Sequence, residues 1–126
     1  MQGTVGTADS DFQILRKELC EMIDVRKKVY EDSTVWEYEL SYDGINTLGF
    51  AKVIEYEDYV ELKYINVNRE YRGNGIGSTL LNHIIGEFSD KDIIVETFRE
   101  RVDWYSKFHF HVEKINGNLI HMRLSR

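Results

Sequence analysis

Arg72-Gly73-Asn74-Gly75-Ile76-Gly77 is the stretch on which the reading of this chain turns. Before it, Tyr59 to Asn68 reads as a strand; after it, Ser78 to Phe88 reads as a helix. Glycine at every second position strips the side chains from one short arc, so the backbone N–H groups there converge on a ligand. An arc at a helix N-terminus attracts anions, which points to a phosphate.

Working outward from the arc, Ile76, Leu80, Leu81, Ile84, Ile85 and Phe88 form one apolar stripe of an amphipathic helix that packs on a sheet. Ile93-Ile94-Val95 reads as a buried strand, Arg99 to Phe108 as helical, and Phe110 to Ile115 with Leu119 to Leu124 as a hairpin turning at Asn116-Gly117-Asn118. Upstream, Val35 to Tyr42, Leu48 to Tyr56 and Tyr59 to Val67 read as an antiparallel meander, with turns at Asp43-Gly44 and Glu57-Asp58. Ser10 with Gln13 forms a capping-box pattern. Phe12, Leu15, Leu19, Met22, Ile23 and Tyr30 recur behind it at helical spacing, which predicts a helix from Asp11 to Glu31. The chain has no proline and no linker composition. The expectation is one α+β domain over residues 1–126, sandwich-like, with helices flanking the sheet.

Composition narrows the function. With 16 basic against 22 acidic residues the chain carries net −6, which argues against bulk nucleic-acid binding. An acidic protein that binds an anion must do so by local geometry, and the segment around the arc supplies Arg69 and Arg72 against Glu70. No apolar stretch approaches the roughly 20 residues of a membrane span, and the first residues carry no signal-peptide pattern. The single cysteine, Cys20, excludes an internal disulfide framework and a cysteine-rich zinc site, and a cytoplasmic setting is expected.

Several phosphate cradles compete for the arc. A P-loop ends in Gly-Lys-Ser/Thr, and Ile76-Gly77-Ser78 lacks the lysine. The dinucleotide fingerprint wants its third glycine where Ser78 stands, although Glu96 ends a strand about 20 residues on, where a ribose-binding acid would sit. A plain tight turn is the remaining alternative, but an arginine followed by three alternating glycines exceeds what a turn requires.

The hexad resembles the Arg/Gln-x-x-Gly-x-Gly/Ala motif of the GNAT superfamily of N-acetyltransferases, which holds the pyrophosphate of acetyl-coenzyme A. The resemblance continues in register: Ile65-Asn66-Val67 is similar to the end of that family's fourth strand, Leu80-Leu81 to paired leucines in its next helix. Trp104-Tyr105-Ser106-Lys107 with Phe110 is similar to a later aromatic-Tyr-x-Lys-x-Gly-Phe signature. It implies the GNAT fold with a mixed, mostly antiparallel sheet. It also implies acetyl-CoA as co-substrate without a metal, with Ile65, Val67, Arg72, Gly73, Asn74, Gly75, Ile76, Gly77 and Ser78 in the cofactor site. Three positions depart from the family: His109 stands for glycine, Arg101 for a small residue and Phe98 for asparagine. At most Thr4-Val5 is left for the usual first strand.

For chemistry, the resemblance implies direct attack of an amine on the thioester. Glu61, six residues before Val67, is the candidate general base. A backbone N–H near Val67, freed by a bulge, would hold the oxyanion, and Tyr105 would be the acid for the thiolate. Glu61 also reads as one exposed carboxylate among Glu55, Glu57 and Asp58, and Tyr105 as one more packed ring. Glu37, Glu39, Glu55 and Glu57 could line an acceptor mouth for cationic amines. His109 and His111 alternate on a strand-like run without an evident third ligand; with His83 and His121 they read as satisfied or exposed histidines, and Cys20 as core. The partners expected are acetyl-CoA and an amine, with no nucleic acid or membrane; a homodimer through Leu119 to Leu124 is plausible. The alternative to an enzyme is a non-catalytic acyl-CoA-binding module.

Overall fold

The computed structural model describes residues 22–41 and 44–126. The strands are β1 (Ile23–Val29), β2 (Thr34–Ser41), β3 (Thr47–Glu55), β4 (Tyr59–Val67), β5 (Asp92–Phe98), β6 (His111–Asn116) and β7 (Leu119–Leu124). The helices are α1 (Ile76–Glu87) and the short α2 (Val102–Ser106). Together the strands form one mixed sheet in the order β1-β2-β3-β4-β5-β7-β6, antiparallel except where β4 meets β5. This is the α+β architecture expected, and the meander and closing hairpin lie where the alternation and turn residues put them.

The start of the chain differs from expectation. Within the helix predicted over Asp11 to Glu31, residues 23–29 form β1, paired with β2 from Ile23↔Leu40 to Val29↔Thr34. Ile23, Val25 and Val29 are β-branched and share the period of two, while Glu31-Asp32-Ser33 supplies the turn, closed by the Tyr30 N–H donating to the Ser33 carbonyl at 2.8 Å. Lys27 faces Trp36 across the pair, its ammonium 5.1 Å from the ring centroid. A partner strand thus decides what helical spacing alone could not. Residues 11–21, Cys20 and the capping box lie outside the described residues, as does Thr4-Val5, and the sheet's first described strand is Ile23–Val29.

α1 packs across β2, β3 and β4. Its Leu80, Leu81 and Ile84 meet Tyr38, Leu40, Val53, Val60 and Leu62 in a fully buried core that continues to Ile93 and Met122. The alternation is clean: β5 buries Ile93, Val95 and Thr97, and β7 buries Ile120, Met122 and Leu124. Arg126 ties this layer down, its guanidinium donating to the Ile85 and Phe88 carbonyls at the end of α1 and its backbone N–H to Asp92 Oδ1 at 2.8 Å. The hydrogen bonds from Arg126 and Arg123 hold the Asp92 carboxyl below the usual carboxylate range.

β7 lies inside the sheet, hydrogen-bonded by β5 on one side and β6 on the other. It has no free edge for a dimer; among the described residues the sheet's edges belong to β1 and β6.

Candidate active site

β4 and β5 run parallel and in contact only from Tyr59↔Asp92 to Leu62↔Val95, after which they part. At the same point β4 carries a bulge: Lys52 faces Tyr64 and Val53 faces Leu62, so Lys63 has no opposite residue. The bulge therefore lies at Lys63, four residues upstream of Val67 where it was expected. Beyond it, the Asn68 N–H donates to the Leu48 carbonyl at 2.8 Å, which fixes the edge to which each residue's polar groups point. Asn66 and Asn68 face β3; Ile65 and Val67 turn their N–H and C=O toward the open edge that β5 has left. Two arginines reach those carbonyls. Arg101 Nη1 donates to the Ile65 oxygen at 3.2 Å, and Arg72 Nε to the Val67 oxygen at 3.3 Å.

The open edge runs into the glycine turn. Gly73 and Gly75 take φ of 84° and 79°, a region closed to most side chains, and Gly75 is the N-cap of α1. Its carbonyl accepts from the Thr79 N–H at 3.0 Å and the Thr79 hydroxyl at 2.8 Å. Gly77 serves a different purpose: a Cβ there would lie 3.4 Å from both Trp104 and Val67, in the mouth of the cleft. No acidic residue occupies the first turn of α1, so its unpaired N–H groups and the positive end of its dipole are available to an anion. The resulting cleft, about 410 Å³, is lined by Ile65, Val67, Tyr71, Arg72, Gly73, Gly75, Ile76, Gly77, Ser78, Arg101 and Trp104.

All the residues expected at the cofactor site except Asn74 line this cleft; the Asn74 side chain instead donates to the Tyr71 carbonyl at 3.1 Å and holds the turn. Tyr71, Arg101 and Trp104 are lining residues that sequence reading did not assign. Their signal was weak: Tyr71 is the neighbour of the motif arginine, and Trp104 precedes the motif tyrosine. Tyr105 is 2% exposed, wedged between Trp104 and Phe110 at ring distances of 4.9 and 5.4 Å. Burial pushes its phenol up, partly offset by the charge of and hydrogen bond from Arg101. Glu61 does not line the cleft. It lies on the opposite face of the sheet, at the apex of the splay, 3.4 Å from Lys63 Nζ. There it borders a second cavity of about 440 Å³ that also meets Glu96, Glu113, His121 and Arg123.

The three departures have distinct outcomes. His109 keeps the backbone shape that glycine would give, with φ of 73°. Phe98 is 58% exposed at the end of β5, and Arg101 occupies the splay itself. The four glutamates do not form one mouth. Glu55 sits on the α1 side, bonded to Lys91 at 2.9 Å and Trp36 at 3.1 Å, whereas Glu37 and Glu39 face the other way. His109 precedes β6 rather than alternating along it, while His83 and His121 stand beside Glu87 and Glu96 at 3.1 and 3.3 Å. Among the described residues, no three His, Cys, Asp or Glu side chains are grouped to hold a metal, and no helix is long and apolar enough to cross a membrane.

Residues 31–112 match the family described as "Acetyltransferase (GNAT) domain". The chain belongs to the GNAT acetyltransferases. Solved structures of the same fold include the PaiA N-acetyltransferase from Thermoplasma acidophilum in complex with coenzyme A, at 20% identity and TM-score 0.61 over 73% of this chain and 61% of that one. Naa50 from Arabidopsis thaliana, in complex with the bisubstrate analogue CoA-Ac-MVNAL, aligns at 22% identity and TM-score 0.64 over 71% of this chain and 72% of that one. An acyl-CoA N-acyltransferase from Pseudomonas aeruginosa follows at 16% and 0.60, over 72% and 68%. At these identities the likeness is one of fold, and the GNAT chain spans only 61% of the PaiA enzyme's length. No curated protein matches the sequence significantly.

Proposed function

We propose that this GNAT domain is an acetyl-CoA-dependent N-acetyltransferase that transfers acetyl to a primary amine by direct attack in a ternary complex. The observation that carries it is the continuity of the cleft: an unpaired strand edge, Ile65 to Val67, leading into the bare N-terminus of α1. The pyrophosphate fits the glycine turn with Arg72, and an extended amide-bearing arm fits the open edge of β4. The coenzyme-bound relatives PaiA and Naa50 support the same assignment. A cytoplasmic setting suits this co-substrate, and any sheet-edge self-association would use β1 or β6.

The amine must be neutral to attack. For a lysine-like amine of pKa about 10.4, this costs about 4.6 kcal/mol at pH 7, so a base is worth having. Glu61 takes that role from the opposite face, with the acceptor entering through the second cavity and the thioester held in the gap between β4 and β5. The Val67 N–H, turned to the open edge, receives the developing oxyanion, a donor worth about 3–4 kcal/mol. The Tyr105 hydroxyl is a donor to the sulfur. No cysteine or serine stands beside a base among the residues assigned to the site, so the acyl group moves in one transfer.

A second reading, a binding module without turnover, draws on one observation: Arg72 and Arg101 already hold the two carbonyls that the coenzyme arm would use. A free-thiol assay over a broad amine panel separates the two. The enzyme releases thiol with at least one amine class, and Glu61→Gln lowers that kcat about 10²–10⁴-fold while coenzyme A still raises Tm. Coenzyme A binding without thiol release from any amine would leave the module.

A further inference from the structure

Arg101, one of the three departures from the family, lines the cleft. It ends the 3-10 turn between β5 and α2 and donates to the Ile65 carbonyl at 3.2 Å. Its charge also bears on the buried Tyr105 phenol, offsetting part of the upward push of burial. Among the described residues it shares no ion pair with a carboxylate, whereas Arg123 is gripped by both Glu113 and Asp92. A guanidinium carries five N–H donors. Here it is anchored by one neutral oxygen in the cleft wall, with donors left over and no described carboxylate paired with it.

The inference rests on the acyl-CoA reading above. With the pyrophosphate at the glycine turn and the arm along the open edge of β4, the thioester lies between the Val67 N–H and the Ile65 carbonyl that Arg101 holds. In the transfer a C–N bond forms, the C–S bond breaks and its electron pair leaves on sulfur; the amine's proton passes to Glu61. Full negative charge therefore appears beside Arg101. A phenol at pKa about 10 is already a weaker acid than a thiol at about 8.5, so protonating the thiolate from Tyr105 runs uphill. Burial makes that acid weaker still. A fixed cation needs no proton transfer.

We propose that Arg101 binds the departing thiolate of coenzyme A through its free guanidinium N–H groups, with the Tyr105 hydroxyl as a second donor to the sulfur. The thiol leaves as an anion held by charge, and picks up its proton from water after release. Tyr105 then serves to position the guanidinium and the sulfur more than to act as an acid.

The probe is coenzyme A itself, which reads the site without any acceptor. Ultraviolet thiolate absorbance of the saturated complex, with desulfo-coenzyme A as blank, gives the pKa of the bound thiol. In the native protein it lies at least about one pH unit below the roughly 8.5 of a free thiol, as a cation at contact distance requires. Arg101→Gln returns it to about 8.5 or higher while coenzyme A still raises Tm. Arg101→Lys, which keeps a cation, falls between the two, and Tyr105→Phe moves the value less than Arg101→Gln does. Arg99→Gln removes a charge from the same turn but not from the cleft, and the native value persists. A native complex with an ordinary thiol, or an Arg101→Gln complex that titrates like the native one, overturns the proposal and leaves the acyl-CoA reading standing. No stabilisation by coenzyme A in any variant overturns both.

Discussion

From Val60 to Leu62, β4 is paired on both edges, by β3 and by β5; from Tyr64 to Val67 it is paired by β3 alone. The closed half buries Val60 and Leu62 completely. The open half buries Ile65 but leaves its backbone polar groups facing a cleft, where two arginines attend to them. The bulge at Lys63 is what lets one strand do both. Side chains alternate with a period of two, so without the extra residue Tyr64 and Asn66 would lie under α1, and Ile65 and Val67 outside it. Stability is placed where pairing is complete, and ligand chemistry where pairing stops.

The sharpest way to break the closed half is Leu62→Ala. The side chain is 1% exposed between α1 and the central strands, and a void lined by apolar side chains stays dry. The expected loss is about 2–5 kcal/mol in equilibrium denaturation, a large share of a domain's total stability. A loss under about 1 kcal/mol would mean that the core collapses around the gap and that this half is not the anchor described.

The open half is tested from its anion end by Gly75→Val. At φ of 79° a β-branched residue is strained by about 1–3 kcal/mol, and the residue caps α1. Relief of that strain turns the first N–H groups of α1 away from the cleft. Coenzyme A binding should weaken about 10–100-fold by calorimetry, with a smaller drop in Tm than Leu62→Ala gives. Unchanged affinity would separate the glycine turn from the binding site.

How far the sequence could be read follows the same division. The meander, α1 and the closing hairpin were legible because each element satisfies its own pattern of two or 3.6 and carries its own turn residues. The glycine turn was legible because φ above zero leaves a mark in composition at Gly73 and Gly75. What depends on a distant partner was not. β1 took the pairing offered by β2 over helical spacing at Met22 and Ile23. Leu119 to Leu124 gave no sign of lying between two strands, nor Glu61 of lying across the sheet from the cleft. Arg101 was visible as an exception, but its partner, the Ile65 carbonyl 36 residues away, belongs to the tertiary fold.

The smallest expected effect lies on the wall that backs the open half. His109 sits at φ of 73° in the turn that carries the chain from α2 into β6, with its N–H donating to the Ser106 carbonyl at 3.0 Å and the next N–H, of Phe110, to the Tyr105 carbonyl at 3.3 Å. A non-glycine residue there costs about 1–2 kcal/mol of local strain. Replacing it by glycine removes that strain but loosens the unfolded chain, which offsets about 0.4–1 kcal/mol. His109→Gly should therefore stabilise the fold by about 0–1.6 kcal/mol, read as a rise of at most a few degrees in Tm. A fall in Tm instead would show that the imidazole makes contacts worth more than the strain, and that the wall behind Tyr105 depends on this side chain.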